Sequence, residues 1–573
     1  MEKQLSFYDI ECFSNDSLIV FKNINNEIEL ALWNDFEQVA DYIKDKQLVG
    51  YNNHYYDDLM LTLMMRGVNN KILKRNNDLI ISGQDTGVRI DAALIDSLDC
   101  FQQISVSRPG LKKIEGNMGK MIKESSVPFD IDRPLTEEEK KEVLKYCAYD
   151  VKNTIEVYKL REHSYFEAKS RLLEMCQDVS SRWNTTTITS QLLYSGGSLW
   201  SDVRVPEQMW NDEDIPDEVW KMWNQVRTLA PEPELKIKSR TIKDLGCKIQ
   251  FGFGGLHGAV DEPIYLDKQV TNVDVTSLYP SIVINLKVLG EKTEFYKGIK
   301  EWRVKVKHKD KSLSDALKLV LNSTYGLLKS KYSKLYNPKA ATTVCIYGQI
   351  ILFKLCKQLY DAGCELININ TDGVAFIDHG VDYQAIIENW QKEYNLNLEE
   401  DHFEKWIQKD VNNYIAVSNG KLKAKGGEVK RYNKDSYFEN NNARIIDICI
   451  VDYLVYKKDI IENLNEHLNE PKLFQYILRA GNTYLGVFDK QGNRYNKINR
   501  VFACKPEAAN EKLYKKRSDG GLVNFPDVPE NMKLWNDSCD DIQNIEEWID
   551  LNHYYQIIKK KLSRWKGDAA NVY

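Results

Sequence analysis

Six carboxylates in this 573-residue chain occupy places where charge is costly unless something positive meets it. Asp274 ends a β-branched run, Asn272-Val273-Asp274-Val275, and a turn carrying Tyr279 and Pro280 follows it. Asp372 is predicted at the tip of a hairpin, Leu366 to Phe376, whose turn the Asp372-Gly373 pair favours. From there it could reach a metal shared with Asp274. Between them, Lys318, Asn322 and Tyr325 recur at helical spacing after the capped start Ser312 to Leu317. A cation, an amide and an aromatic on one helix face suit a triphosphate, a sugar and a base. Near the N-terminus, Asp9 and Glu11 are two residues apart and so share one side of a strand. Asp57 closes Asn53-His54-Tyr55-Tyr56-Asp57, and Tyr146 and Asp150 are neighbours on a predicted helix.

In this order the motifs resemble those of family B DNA polymerases. Asp274-x-x-Ser277-Leu278-Tyr279-Pro280 resembles the first polymerase motif, and Lys318-x-x-x-Asn322-Ser323-x-Tyr325-Gly326 resembles the nucleotide-binding helix. Thr371-Asp372 resembles the third motif, with Asn370 where the family usually has aspartate. Asp9-x-Glu11, Asn53-x-x-Tyr56-Asp57 and Tyr146-x-x-x-Asp150 resemble the proofreading 3′→5′ exonuclease of the same polymerases. Leu111-Lys112-Lys113-Ile114 stands where that nuclease often has a lysine near the substrate phosphate. Gly254 and Gly255 match the template-contacting glycines between nuclease and polymerase, although the aromatic position in register is Gly252. Tyr414 matches the primer-gripping Lys-x-Tyr motif, with Asn412 in place of its lysine; Lys423 or Lys425 could compensate.

The resemblance implies an α/β multidomain fold: a ribonuclease H-like exonuclease domain followed by a right-hand palm, fingers and thumb. The expected divisions are nuclease 1–174, connector 175–250, palm 251–290 and 327–415, fingers 291–326, and thumb with the C-terminal region 416–573. It implies primed, template-directed DNA synthesis with proofreading. Phosphodiester formation and cleavage both concentrate charge on phosphoryl oxygens, and two divalent ions roughly 3.5–4 Å apart can stabilise it. The implied cofactors are therefore two Mg²⁺ (or Mn²⁺) ions per site. Asp274, Asp372 and the Val275 carbonyl would hold one pair, and Asp9, Glu11, Asp57 and Asp150 the other. Tyr146 would orient the attacking water, Tyr279 would lie under the sugar, and Lys318 would neutralise the triphosphate with Arg303 and Lys307 nearby. Asn53, Gly254, Gly255, Tyr414, Lys423 and Lys425 are the expected DNA contacts. A nuclease with a degenerate, inactive polymerase half is the alternative that Asn370 and Asn412 raise.

Composition frames these expectations. The net charge of −6 is unusual for a DNA-binding chain, whose phosphate contacts need Lys and Arg. The cations are instead clustered: Lys297, Lys300, Arg303, Lys305, Lys307, Lys309 and Lys311 lie between two of the motifs, and Lys421, Lys423 and Lys425 follow the third. The eleven cysteines form no C-x-x-C pair, which predicts reduced thiols in a cytosolic compartment. No run of 18 apolar residues predicts a membrane span. Only 44 positions separate Asp274 from Lys318, and 54 separate Lys318 from Asp372, leaving no room for the insertions of the protein-primed subfamily. The expectation is a cytoplasmic monomer of phage or mobile-element type. Its partners would be primer-template DNA, deoxynucleoside triphosphates and replication accessory proteins, with no membrane.

Overall fold

The computed structural model describes residues 3–176, 179–196, 205–210, 212–228, 237–439 and 443–565. Pro231 and Pro233 of the expected connector lie outside the described residues.

Five strands form the N-terminal sheet: β1 (Gln4–Cys12), β2 (Ser17–Lys22), β3 (Ile28–Trp33), β4 (Lys46–Gly50) and β5 (Ser97–Asp99), in the order β3-β2-β1-β4-β5. β1 runs parallel to β4, and β4 to β5, whereas β2 and β3 are antiparallel to their neighbours. This order is that of a ribonuclease H-like sheet, the fold class expected for this unit. β2 reads as a nearly continuous apolar run, and β1 is buried along most of its length despite its acids, because both faces are covered. Phe7, Leu18 and Val20 pack with Val143, Cys147 and Val151 of the helix Glu137–Arg161. Tyr8, Ile10 and Ile19 pack on the other side with Met60 and Leu61 of the helix Asp57–Met65. The long helix begins at a capping box, Thr136 with Glu139, which satisfies two backbone N–H groups at its start.

The second unit is built on a seven-stranded sheet. Its strands are β6 (Arg240–Asp244), β7 (Cys247–Gly252), β8 (Gly255–Ala259), β10 (Val270–Val275), β11 (Glu365–Asn370), β12 (Gly373–Ile377) and β13 (Leu398–Phe403), ordered β13-β10-β12-β11-β8-β7-β6. β9 (Ile264–Leu266) joins β14 (Lys405–Asp410), β15 (Asn413–Ser418) and β16 (Lys421–Lys425) in a neighbouring four-stranded sheet. The helix Pro338–Asp361 is long and apolar enough to cross a membrane, but it is a core helix, with Val344, Ile350, Ile351 and Phe353 fully buried. The basic helix Thr293–Val306 and the helix Lys311–Lys329 form the expected pair between β10 and β11.

Strand pairing and helix packing cross several of the divisions set from motif spacing. The helix Glu167–Met175, counted with the nuclease, places Ala168 and Leu172 in the core of the second unit. The division at 250 falls inside β7, and that at 415 inside β15. Hydrogen-bonded ladders hold together what the motifs alone divide. The C-terminal unit has its own core around the helices Ile445–Tyr456 and Leu551–Leu562. It docks onto the N-terminal unit through fully buried Arg500, which donates to the Gly116 carbonyl at 3.1 Å and is held within its own unit by Gln475 Oε1 at 2.7 Å. All eleven cysteines are buried, and none is in a disulfide among the described residues.

Candidate active sites

In the N-terminal unit the four predicted acids converge. Asp9 and Glu11 lie on β1, Asp57 opens its helix beside them, and Asp150 faces them from the long helix. Glu11, Asp57 and Asp150 are all buried. Ligand atoms of Asp9, Glu11 and Cys147 fall within 4.8 Å of one another, and Cys147 Sγ lies 3.9 Å from Asp9 Oδ2. Burial, then the charge of Asp150, pushes Asp9 up to about 8. Burial first and Asp9 second raise Glu11 and Asp57 well above the carboxylate range. A cation bound among such crowded, buried acids would favour their ionised forms. Asp57 Oδ1 is buried with no hydrogen-bond partner. The four acids, with this orphaned carboxylate oxygen among them, offer the oxygen ligands that a hard divalent ion takes, beside the Cys147 thiol.

Tyr146 lies one turn before Asp150, and Lys112 Nζ sits 4.6 Å from its ring centroid. Lys112 forms an ion pair with Asp150 and lies 3.5 Å from Glu115 Oε1. Glu115 is a buried acid the motifs did not flag; burial raises it to about 8, with Lys112 opposing. Asn53, expected at DNA, is fully buried instead and donates to Asp58 Oδ1 at 3.2 Å. Asp58 also accepts from Tyr8, Ser97 and Arg182, so Asn53 belongs to a network that fixes the loop before Asp57 rather than to a surface. The adjacent Asp57-Asp58 pair was the available signal, but sequence alone does not tell which of two neighbouring acids is clamped.

In the second unit Asp274 and Asp372 meet through register. Asp274 pairs with Gly373, and the Val275 N–H donates to the Asp372 carbonyl at 2.6 Å. The turn differs from the expected one: Thr371 and Asp372 form the two-residue loop, and Gly373 begins β12. Thr371 takes the left-handed conformation (φ 55°), unfavourable for a β-branched residue. It is held there by the Leu256 carbonyl, which accepts its N–H at 2.7 Å, and by His257, 3.1 Å from its hydroxyl. Gly373 is required for space rather than for turning. A Cβ there would lie 1.8 Å from Asp274 Oδ1, so the carboxylate occupies the room the glycine leaves. Asn272 Nδ2 donates to Asp274 Oδ2 at 2.9 Å, a partner that its two-residue spacing on β10 could have suggested. Burial and then Asp274 raise Asp372 to about 6. Burial raises Asp274, while Lys423 opposes it most.

Ser277 (φ 56°) turns the chain out of β10, and Tyr279 and Pro280 lie in the first turn of the helix Leu278–Asn285 rather than in an open turn. Proline is tolerated there because first-turn N–H groups have no helical partner. The Tyr279 ring stacks on Tyr325 (centroids 4.5 Å apart), and its hydroxyl donates to the Gly254 carbonyl at 3.3 Å. Gly254 lies in the β7–β8 hairpin, and Gly255 (φ 135°) leaves room for Thr371, 3.0 Å from where a Cβ would stand. Lys318, Asn322 and Gly326 form an exposed stripe on the helix Lys311–Lys329. Arg303 buries an unpaired Nε on the basic helix, and Lys307 is exposed at its end. Tyr414 stacks on Trp406 (4.6 Å) on β15, opposite Lys425; Lys423 is two residues along β16. Lys423 and Lys425 both act on the charges of Asp274 and Asp372. Tyr414 is pushed up to about 12 by burial and then by the same two acids. Asp401, facing Asn272 across β13, is an acid near Asp274 that the motifs did not include.

No protein-family model matches the chain. Part of it is similar to archaeal DNA polymerases. It is 25% identical over 297 residues to DNA polymerase 1 of Sulfolobus acidocaldarius, covering 43% of this chain and 32% of that protein. It is 25% identical over 247 residues to DNA polymerase 1 of Saccharolobus solfataricus, covering 34% and 28%. The matches thus span about a third of the length of these curated relatives. A solved family B DNA polymerase from Pyrobaculum calidifontis aligns with the whole chain and 78% of its own, at 12% identity and a TM-score of 0.44.

Proposed function

We propose that this chain is a family B-type, DNA-directed DNA polymerase that extends a primer 3′-OH and edits with a 3′→5′ exonuclease. The observation that carries the reading is the register that pairs Asp274 with Gly373 and so sets Asp274 beside Asp372. One chain of contacts links those acids to the Lys318 helix: Thr371 to Gly255, Gly254 to Tyr279, and Tyr279 to Tyr325. The partial similarity to archaeal DNA polymerases supports the same reading.

Asp274, Asp372 and the Val275 carbonyl would hold two Mg²⁺ or Mn²⁺ ions, and Asp9, Glu11, Asp57 and Asp150 two more. Such ions, when bound, activate an attacking oxygen and neutralise the leaving one. The remaining work falls to the protein. Lys318 binds the triphosphate and stabilises its developing charge, with Arg303 and Lys307 on the adjoining helix. Tyr279, fixed against Tyr325, closes the space a 2′-OH would need. Lys423, Lys425 and Tyr414 hold the primer strand beside the acids, and the lysines supply the charge that Asn412 lacks. The Gly254-Gly255 hairpin admits the template strand. In the nuclease, Tyr146 orients water and Lys112 meets the substrate phosphate. The reading includes a monomer in the cytoplasm of a phage host or of a cell carrying a mobile element, working with replication accessory proteins.

Primer extension with deoxynucleoside triphosphates and Mg²⁺ tests it. The wild-type chain extends a primer, and Asp274→Asn or Asp372→Asn lowers extension by ~10³-fold or more, about 4 kcal/mol, while single-strand degradation continues. Unimpaired extension by either variant would sink the assignment.

A further inference from the structure

Lys112 is paired with the wrong partner for a working nuclease. Its ammonium is bound to Asp150, one of the four acids that would take the ions. A cation arriving at Asp150 must therefore displace Lys112 or share its oxygen. Lys112 cannot simply swing into water at no cost, because its side chain is only 17% exposed and packs over the rings of Tyr146 and Tyr149.

A second acceptor stands ready on the same helix, Leu111–Asn117. Glu115 Oε1 is 3.5 Å from Lys112 Nζ, longer than a good ion pair. An i,i+3 Lys–Glu pair is ordinarily a solvated surface feature of small effect. This one is not: the Glu115 side chain has no exposed surface. Asn153 Nδ2 donates to its Oε1 at 3.0 Å, from the helix that also carries Asp150. Its Oε2 is buried with no hydrogen-bond partner, so a buried carboxylate oxygen is left without the donor that would offset its desolvation.

We propose that Glu115 is a positioning residue for the nuclease: when a divalent ion takes Asp150, Lys112 passes from Asp150 to Glu115 and stays in the site. This deepens the nuclease part of the function proposed above and rests on it. The exchange keeps the Lys112 ammonium paired in both states. Without metal, Lys112 offsets Asp150. With metal, Asp150 is neutralised by the ion and the freed ammonium fills the vacant valence of Glu115, still beside Tyr146, where a phosphate oxygen would lie. Both steps also favour ionised Glu115, since the cation cancels the charge of Asp150 that repels it.

The test is a Mn²⁺-binding titration followed by electron paramagnetic resonance, on the full chain carrying Asp274→Asn and Asp372→Asn to silence the other acidic pair. Lys112→Met is expected to tighten Mn²⁺ binding, because the competitor is gone. Glu115→Gln is expected to weaken it by about tenfold, a change of the size that residues behind metal ligands produce. The decisive variant combines both: with Lys112→Met present, Glu115→Gln leaves Mn²⁺ affinity unchanged. If Glu115→Gln weakens binding equally in both backgrounds, Glu115 acts only as one more negative charge and the exchange is refuted. Weaker binding by Lys112→Met alone also refutes it. Should the background protein bind no Mn²⁺ at all, the metal-nuclease reading itself falls, a result distinct from either. Lys112→Met leaves the helix and its buried acid in place, so the titration has an answer even if Glu115→Gln does not fold.

Discussion

The two acidic centres solve the same electrostatic problem in opposite ways. In the N-terminal unit three of four acids are nearly inaccessible, and the cation nearest them, Lys112, is internal to the site. In the second unit the two aspartates sit at strand ends, less deeply buried, and are opposed from β16 by Lys423 and Lys425. The difference appears in protonation: Asp9 is pushed to about 8, Asp372 only to about 6. A closed acidic centre suits a narrow substrate such as a single-stranded end. An open one, with Lys318, Asn322 and Gly326 exposed on the helix Lys311–Lys329, suits a duplex and a triphosphate together. Depth of burial therefore distinguishes the two sites more sharply than the number of acids does.

The comparison breaks most completely under charge removal. Asp9→Ala combined with Glu11→Ala is expected to lower 3′→5′ degradation of a labelled single strand by ~10³-fold or more while primer extension persists. Degradation at the wild-type rate would mean that the nuclease lies elsewhere.

A smaller but more specific effect is expected from Gly373→Ala. The added Cβ would meet Asp274 Oδ1 at 1.8 Å and drive the carboxylate from its place without altering any charge. Extension should fall by about 10²-fold, about 2.7 kcal/mol, with nuclease activity intact. Equal loss of both activities would point to misfolding of the sheet rather than displacement of one acid.

The gentlest test uses pH. An acid raised in the folded state stabilises the fold below its unfolded value and withdraws that contribution as pH climbs through the folded value. For Asp9 the window runs from about 4 to about 8, and for Asp372 from about 4 to about 6. Metal-free protein should therefore lose thermal stability between pH 5 and pH 8. Added Mg²⁺ should restore more at pH 8 than at pH 5, by binding the native state alone. Asp9→Asn should flatten the slope more than Asp372→Asn does. Melting temperatures across this range, with and without Mg²⁺, decide it; a flat metal-free profile would contradict the buried-acid picture.

Much of both sites was legible because their chemistry is local in sequence. Asp9-x-Glu11 on one strand and Tyr146-x-x-x-Asp150 on one helix follow from the periods of strand and helix. The Lys318–Tyr325 stripe is legible for the same reason. Glu115 was not, since nothing in Leu111-Lys112-Lys113-Ile114-Glu115 separates a buried glutamate from a solvated one. Asn53 misled because a polar residue in a motif reads as a surface contact until the fold buries it against Asp58. Asp372-Gly373 was read as turn chemistry, whereas the glycine is there to make room for a carboxylate from another strand. The division at 415 falls inside β15 for a similar reason: β14, β15 and β16 are one ladder, and ladders are long-range facts.

By itself, then, the sequence determined where the acids, the lysines and the tyrosines of the proposed sites stand, their order, and the strands and helices that carry them, because residue type and period act over a few positions. Only the tertiary structure decided which acids face one another, which are starved of solvent, and which cations oppose them. Those properties depend on distance and burial between segments far apart in the chain: Asp274 with Asp372, Lys423 with both, Lys112 with Asp150. Electrostatic energy is set by separation and surrounding dielectric, and neither is written in any single stretch of residues.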